Sequence, residues 1–93
     1  MKTISILGST GSVGTQTLEV VKNLGNIRVA GLTGYENVKG MEKQYYTYRP
    51  AKIAMMNMGR ALQLRERLAG EPVSVLWGME GLVEVATMKE VDM

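Results

Sequence analysis

The segment Gly8-Ser9-Thr10-Gly11-Ser12-Val13-Gly14 constrains this chain more than any other stretch. It follows the short apolar run Thr3-Ile4-Ser5-Ile6-Leu7 and precedes a stretch in which Val13, Thr17, Leu18, Val21 and Leu24 recur at helical spacing. The run reads as a buried strand and the stretch as an amphipathic helix. A glycine-rich turn between two such elements has a physical job. Gly8 makes the tight turn off the strand, Gly11 lets backbone approach a pyrophosphate, and Gly14 lets the helix pack closely on the strand. The helix dipole and the free N–H groups of the first turn attract phosphates, and Ser9, Thr10 and Ser12 add hydroxyl donors. The spacing G-x-x-G-x-x-G is not the G-x-G-x-x-G fingerprint, and without a G-K-[ST] it is not a P-loop. Spacing alone leaves a plain β–α turn open as the alternative. Placement after the first strand and before a capped helix favours nucleotide binding.

The same alternation continues along the chain. Gly25-Asn26 stops the first helix as a left-handed cap does. Ile27 to Thr33 is a second strand, and Asn37 N-caps a helix with Val38, Met41, Tyr45 and Tyr48 on one face. Pro50 ends that helix, because the residue before proline is pushed out of helical geometry. Lys52 to Met56 is a third strand. Ala61, Leu64 and Leu68 stripe a third helix, which leaves through Gly70-Glu71-Pro72. Val73 to Trp77 is a fourth strand, and Gly78 opens a short helix over Val83 and Ala86. Strands and helices alternating through short connections predict an α/β fold with a parallel sheet and right-handed crossovers.

Composition removes most other classes. A chain of 93 residues is one domain, and 45% hydrophobic with 22% charged residues is a globular mix without a disorder signature. No apolar run nears the ~20 residues of a membrane span, and Ile4 to Leu7 is too short for a signal-peptide core. The absence of cysteine excludes disulfides and thiolate metal sites, and the absence of histidine removes the usual general base. A cytoplasmic location is expected. The net charge of +2 is scattered, and Arg60 to Arg67 reads as a solvated helix face rather than a nucleic-acid stripe. The eight methionines read as core filler.

The stretch from Gly8 through Thr15, Gln16, Thr17, Leu18, Glu19, Val20 and Val21 closely resembles the start of the 1-deoxy-D-xylulose 5-phosphate reductoisomerase family. Asn37-Val38 with Met41-Glu42-Lys43-Gln44, then Arg49-Pro50, then Leu64 to Leu68 agree in order and spacing. So do Val75-Leu76 and Gly78 to Thr87, and the resemblance covers essentially the whole chain. A semialdehyde dehydrogenase fragment could share the glycine turn but would not be expected to share these later stretches. A third reading is an α/β scaffold derived from the family that binds no nucleotide.

The resemblance implies an NADPH-dependent enzyme of the non-mevalonate isoprenoid pathway. It converts 1-deoxy-D-xylulose 5-phosphate to 2-C-methyl-D-erythritol 4-phosphate with a divalent cation, Mg or Mn. Carried over by position, Thr10, Gly11, Ser12 and Val13 contact the cofactor's phosphates, with Gly8 and Gly14 shaping the turn. Asn37 sits in the loop that handles the adenosine ribose and its 2′-phosphate. Tyr35 and Glu36 stand in that loop where the family carries a glycine and a lysine or other polar residue. Glu36 either repels a 2′-phosphate and accepts from an unmodified ribose, or points into solvent and caps the helix start, where its charge favours the dipole. Asn57-Met58-Gly59 departs from the acidic residues that relatives carry there. Trp77 replaces a small residue and is expected to cover apolar surface.

The resemblance makes residues 1–93 the N-terminal dinucleotide-binding domain of a longer enzyme, whose metal- and substrate-binding segments lie beyond it. It implies a Rossmann-like sheet of four β–α units in the order 4-3-2-1, with the first strand at an open edge. This chain alone is expected to be inactive and to bind no metal. It is expected to self-associate as a homo-oligomer, through that edge.

Overall fold

The computed structural model describes residues 2–88. Within them strands and helices alternate as β1 (Lys2–Ile6), α1 (Ser12–Leu24), β2 (Ile27–Gly34), α2 (Val38–Tyr48), β3 (Lys52–Met55), α3 (Met58–Arg67), β4 (Ser74–Trp77) and α4 (Gly78–Ala86). All pairings are parallel in the order β1-β2-β3-β4, the expected 4-3-2-1 read from the other edge. Each strand lies beside its predecessor, so right-handed crossovers place α1, α2 and α3 on one face of the sheet. The last helix, α4, covers the other face over β2, β3 and β4.

Register builds the core. Ile6, Leu32, Ile53 and Val75 stand opposite one another across the strands. That row is buried with Leu18 and Val21 of α1, Met41 and Tyr45 of α2, and Ala61 and Leu64 of α3. On the other face α4 comes close because two glycines admit it. A Cβ on Gly81 would lie 2.9 Å from the Leu76 Cβ, and one on Gly31 would lie 2.6 Å from a Val85 methyl. A register shift between Ile4 and Ser5 sets Ser5 beside Gly31, and the Ser5 hydroxyl donates to the Val85 carbonyl at 3.1 Å.

The element ends follow local chemistry. Gly25 closes α1 in the left-handed region at φ 75. The Asn37 Oδ1 accepts the Gly40 N–H at 3.0 Å and caps α2. Arg49 closes α2 at φ 51, one residue before Pro50. Asn57 caps α3 by accepting the Arg60 N–H at 3.0 Å, a role the sequence reading did not give it.

Some expected faces differ. Val13 is 77% exposed and Leu24 59%, so α1 buries only Gly14, Leu18 and Val21. In α4 the buried residues are Gly81 and Val85, while Val83 is half exposed and Ala86 exposed. The reason is the close seat of α4 on the sheet, which turns the glycine face inward. Methionine is filler only in part. Met41, Met55 and Met88 are buried, but Met58 and Met79 are exposed, and Met1 and Met93 lie outside the described residues.

Candidate functional site

The glycine turn crosses the C-terminal edge of β1 and leads into α1. Gly8 takes φ 69, a left-handed conformation that favours glycine. Its N–H donates to the Thr33 hydroxyl at 3.0 Å, and the Ser9 N–H donates to the Thr33 carbonyl at 2.8 Å. The turn is thereby tied to the end of β2. Gly11 closes it by donating to the Gly8 carbonyl at 3.1 Å. Gly14 is required by contact, since a Cβ there would lie 2.2 Å from the Gly8 carbonyl oxygen and 2.7 Å from the Ser9 Cα. The helix therefore packs on the backbone of the turn itself rather than on the strand.

The first half of the turn is also held from α2. The Ser9 carbonyl accepts Gln44 Nε2 at 2.8 Å and the Thr15 hydroxyl at 3.5 Å. The Ser9 side chain is fully buried, its hydroxyl donating to the Met41 sulfur at 3.7 Å. Ser9 is thus part of the scaffold, which corrects its reading as a hydroxyl donor to a ligand. Thr10 and Ser12 keep that possibility, since Thr10 is half-buried and Ser12 exposed.

The start of α1 is prepared for an anion. Gly11 occupies the N-cap with no side-chain hydrogen bond, and the first turn carries no acidic residue. The first backbone bond into the helix is Thr15 N–H to the Gly11 carbonyl at 2.9 Å. The N–H groups of Ser12, Val13 and Gly14 have no intrahelical acceptor, and the positive end of the dipole is unopposed there.

Thr10 and Asn37 line a common groove of about 380 Å³ between α1 and α2, with Thr15, Lys43, Gln44 and Tyr48 along its walls. The Tyr48 hydroxyl donates to the Leu18 carbonyl at 3.0 Å. Burial, and then the charge of Glu19, pushes the Tyr48 hydroxyl above the usual tyrosine range. Tyr35 is 67% exposed, and Glu36 is exposed at the start of α2. Asn37, not Glu36, is the cap. Glu36 and Asn37 also border a second groove with Lys39, Arg60, Gln63, Glu66 and Arg67.

That second groove was not legible as a site. The run Arg60 to Arg67 is solvated as expected, and its arginines do separate things. Arg67 pairs with Glu42 at 3.0 Å, and Arg65 donates to the Val75 carbonyl while lying over the Trp77 ring. Arg60 faces the loop after β2. The signal available in the sequence was Asn57, whose capping type three residues earlier marks Arg60 as the first turn of a helix at the same sheet edge. Trp77, 39% exposed and stacked under Arg65, covers surface at the end of β4.

A parallel α/β sheet with an uncapped helix behind a glycine turn on its first strand is the architecture of a Rossmann-like dinucleotide-binding fold. The family model for 1-deoxy-D-xylulose 5-phosphate reductoisomerase matches residues 4–93. The chain belongs to the 1-deoxy-D-xylulose 5-phosphate reductoisomerase family. The reductoisomerase of Ruminiclostridium cellulolyticum is 44% identical over 98% of this chain, and that of Caldanaerobacter subterraneus subsp. tengcongensis is 49% identical over 91%. The match spans 24% and 22% of those two relatives' own lengths. A solved DOX-P reductoisomerase in complex with NADPH, fosmidomycin and magnesium superposes at TM-score 0.92, with 32% identity over 99% of this chain and 23% of that one. The Zymomonas mobilis enzyme in complex with NADPH superposes at 0.87, with 33% identity over 94% of this chain and 23% of that one.

Proposed function

We propose that this chain is the NADPH-binding portion of a reductoisomerase that converts 1-deoxy-D-xylulose 5-phosphate to 2-C-methyl-D-erythritol 4-phosphate. The observation that carries the reading is the uncapped first turn of α1 behind the Gly8–Gly14 turn. Its backbone N–H groups bind the cofactor's diphosphate, and Gly14 keeps the turn low enough for a ligand to approach. Thr10, Gly11, Ser12 and Val13 hold the diphosphate. Tyr35, Glu36 and Asn37 border the adenosine ribose, as the end of β2 does in folds of this kind. NADPH and magnesium are bound in related structures, and the cofactor fits the residues present here.

The metal ion does not fit them. Among the described residues no three Asp, Glu, Cys or His side chains gather into a group that could hold a cation. We read the divalent ion and the sugar phosphate as held by other parts of the enzyme, and this chain as binding cofactor without turning over substrate. No helix is long and apolar enough to cross a membrane among the described residues. The chain self-associates through apolar surface at the β1 end of the sheet, where Leu7 is 60% exposed.

Calorimetric titration of the purified chain with NADPH tests the reading. Saturable one-to-one binding that Gly14→Ala abolishes supports it. A folded chain that takes up neither NADPH nor NADH overturns it in favour of a scaffold that binds nothing.

A further inference from the structure

We infer that Arg60, on the first turn of α3, is the residue that recognises the 2′-phosphate of NADPH and offsets the unfavourable charge of Glu36. The inference rests on the cofactor-binding reading above. Two backbone bonds bring the elements together. The Met56 N–H donates to the Gly34 carbonyl at 2.9 Å, and the Asn57 N–H donates to the Tyr35 carbonyl at 3.2 Å. The loop before α3 is thereby laced to the loop that follows β2, where a dinucleotide's adenosine ribose lies and where a nearby arginine serves a 2′-phosphate. Asn57 then starts α3 at once by capping the Arg60 N–H, so the Arg60 side chain emerges into the groove that Glu36 and Asn37 border.

Arg60 is also the arginine of that groove without a carboxylate partner. Arg67, across the same groove, is spent on Glu42, whereas Arg60 Nη1 meets only the neutral Gln63 Oε1 at 3.0 Å. Its remaining donors form the planar fork that suits a phosphate. Lys39 adds a second positive charge, while Glu36 and Glu66 add negative ones. Direct contact decides between them. An exposed Glu36 acts on a phosphate through water and salt, while a guanidinium that touches it bonds with two parallel N–H groups.

The test is titration of the purified chain and two variants, Arg60→Gln and Arg67→Gln, with NADPH and NADH in parallel at fixed ionic strength. Circular dichroism melts confirm folding, which both exposed substitutions should preserve. The expected result is tighter binding of NADPH than NADH by the unchanged chain. Arg60→Gln then weakens NADPH about tenfold, the scale of one charge-assisted hydrogen bond, and leaves NADH within about twofold. Arg67→Gln leaves both unchanged. Equal loss of both cofactors, no loss, or the same loss in Arg67→Gln overturns the role of Arg60. Binding of NADH in preference to NADPH by the unchanged chain overturns it too, and leaves the dinucleotide site standing. Absence of binding by either cofactor instead removes the site itself and the inference with it.

Discussion

At the residue scale the account depends on Gly14. A single Cβ placed 2.2 Å from the Gly8 carbonyl must push the turn and the helix apart. Gly14→Ala should cost about 1–3 kcal/mol, the range for overpacking a close contact, and should abolish NADPH binding. Chemical denaturation and calorimetry on the same sample read both effects. Tyr48 makes a second prediction. Its hydroxyl bonds the Leu18 carbonyl, and burial raises its ionisation above the ordinary tyrosine value of 10.0. The unfolded chain therefore releases this proton at lower pH than the folded one. The stabilisation is complete below the ordinary tyrosine range and is lost as pH rises through that range toward the folded value. Tyr48→Phe should cost about 1 kcal/mol at neutral pH and flatten the alkaline decline of stability, as urea melts from pH 7 to 11 would show.

At the scale of elements, order and ends were legible because they rest on local chemistry. Gly25, Asn37 and Pro50 each stop or start a helix through their own backbone or side chain, and the structure uses all three in that way. What was not legible depends on contacts between distant parts. Ser9 turns inward because Thr33 and Gln44 hold its backbone from β2 and α2. The buried face of α4 is set by Gly31 and Gly81, whose missing side chains admit Val85 and Leu76. Arg60 reaches the loop after β2 through bonds from Met56 and Asn57 that no spacing rule announces. Asn57 offers a prediction at this scale. Asn57→Ala removes the cap of α3 and should lower stability by about 1 kcal/mol in denaturant melts, without changing the order of elements.

At the scale of the whole molecule, one face of the sheet is closed by α1–α3 and the other by α4, and β1 ends the row of described strands. Leu7 follows that strand at 60% exposure. Exposed apolar surface at this end of the sheet should draw copies of the chain together. Sedimentation velocity over a wide concentration range should show association, and Leu7→Lys should weaken it. A strictly monomeric species at high concentration would contradict it. The distribution of chemistry has a second consequence at this scale. The described residues hold an uncapped glycine turn and no group of three metal-ligating side chains, and added magnesium, NADPH and sugar phosphate should give no turnover.

The most direct measurement of the central claim is a titration of isotope-labelled chain with NADPH, followed through its backbone amide resonances. The expected result is saturable shifts concentrated at Gly8 to Gly14, with a second group at Tyr35 to Asn37 and Arg60. A folded chain whose amides at Ser12, Val13 and Gly14 stay unmoved at saturating cofactor would contradict it.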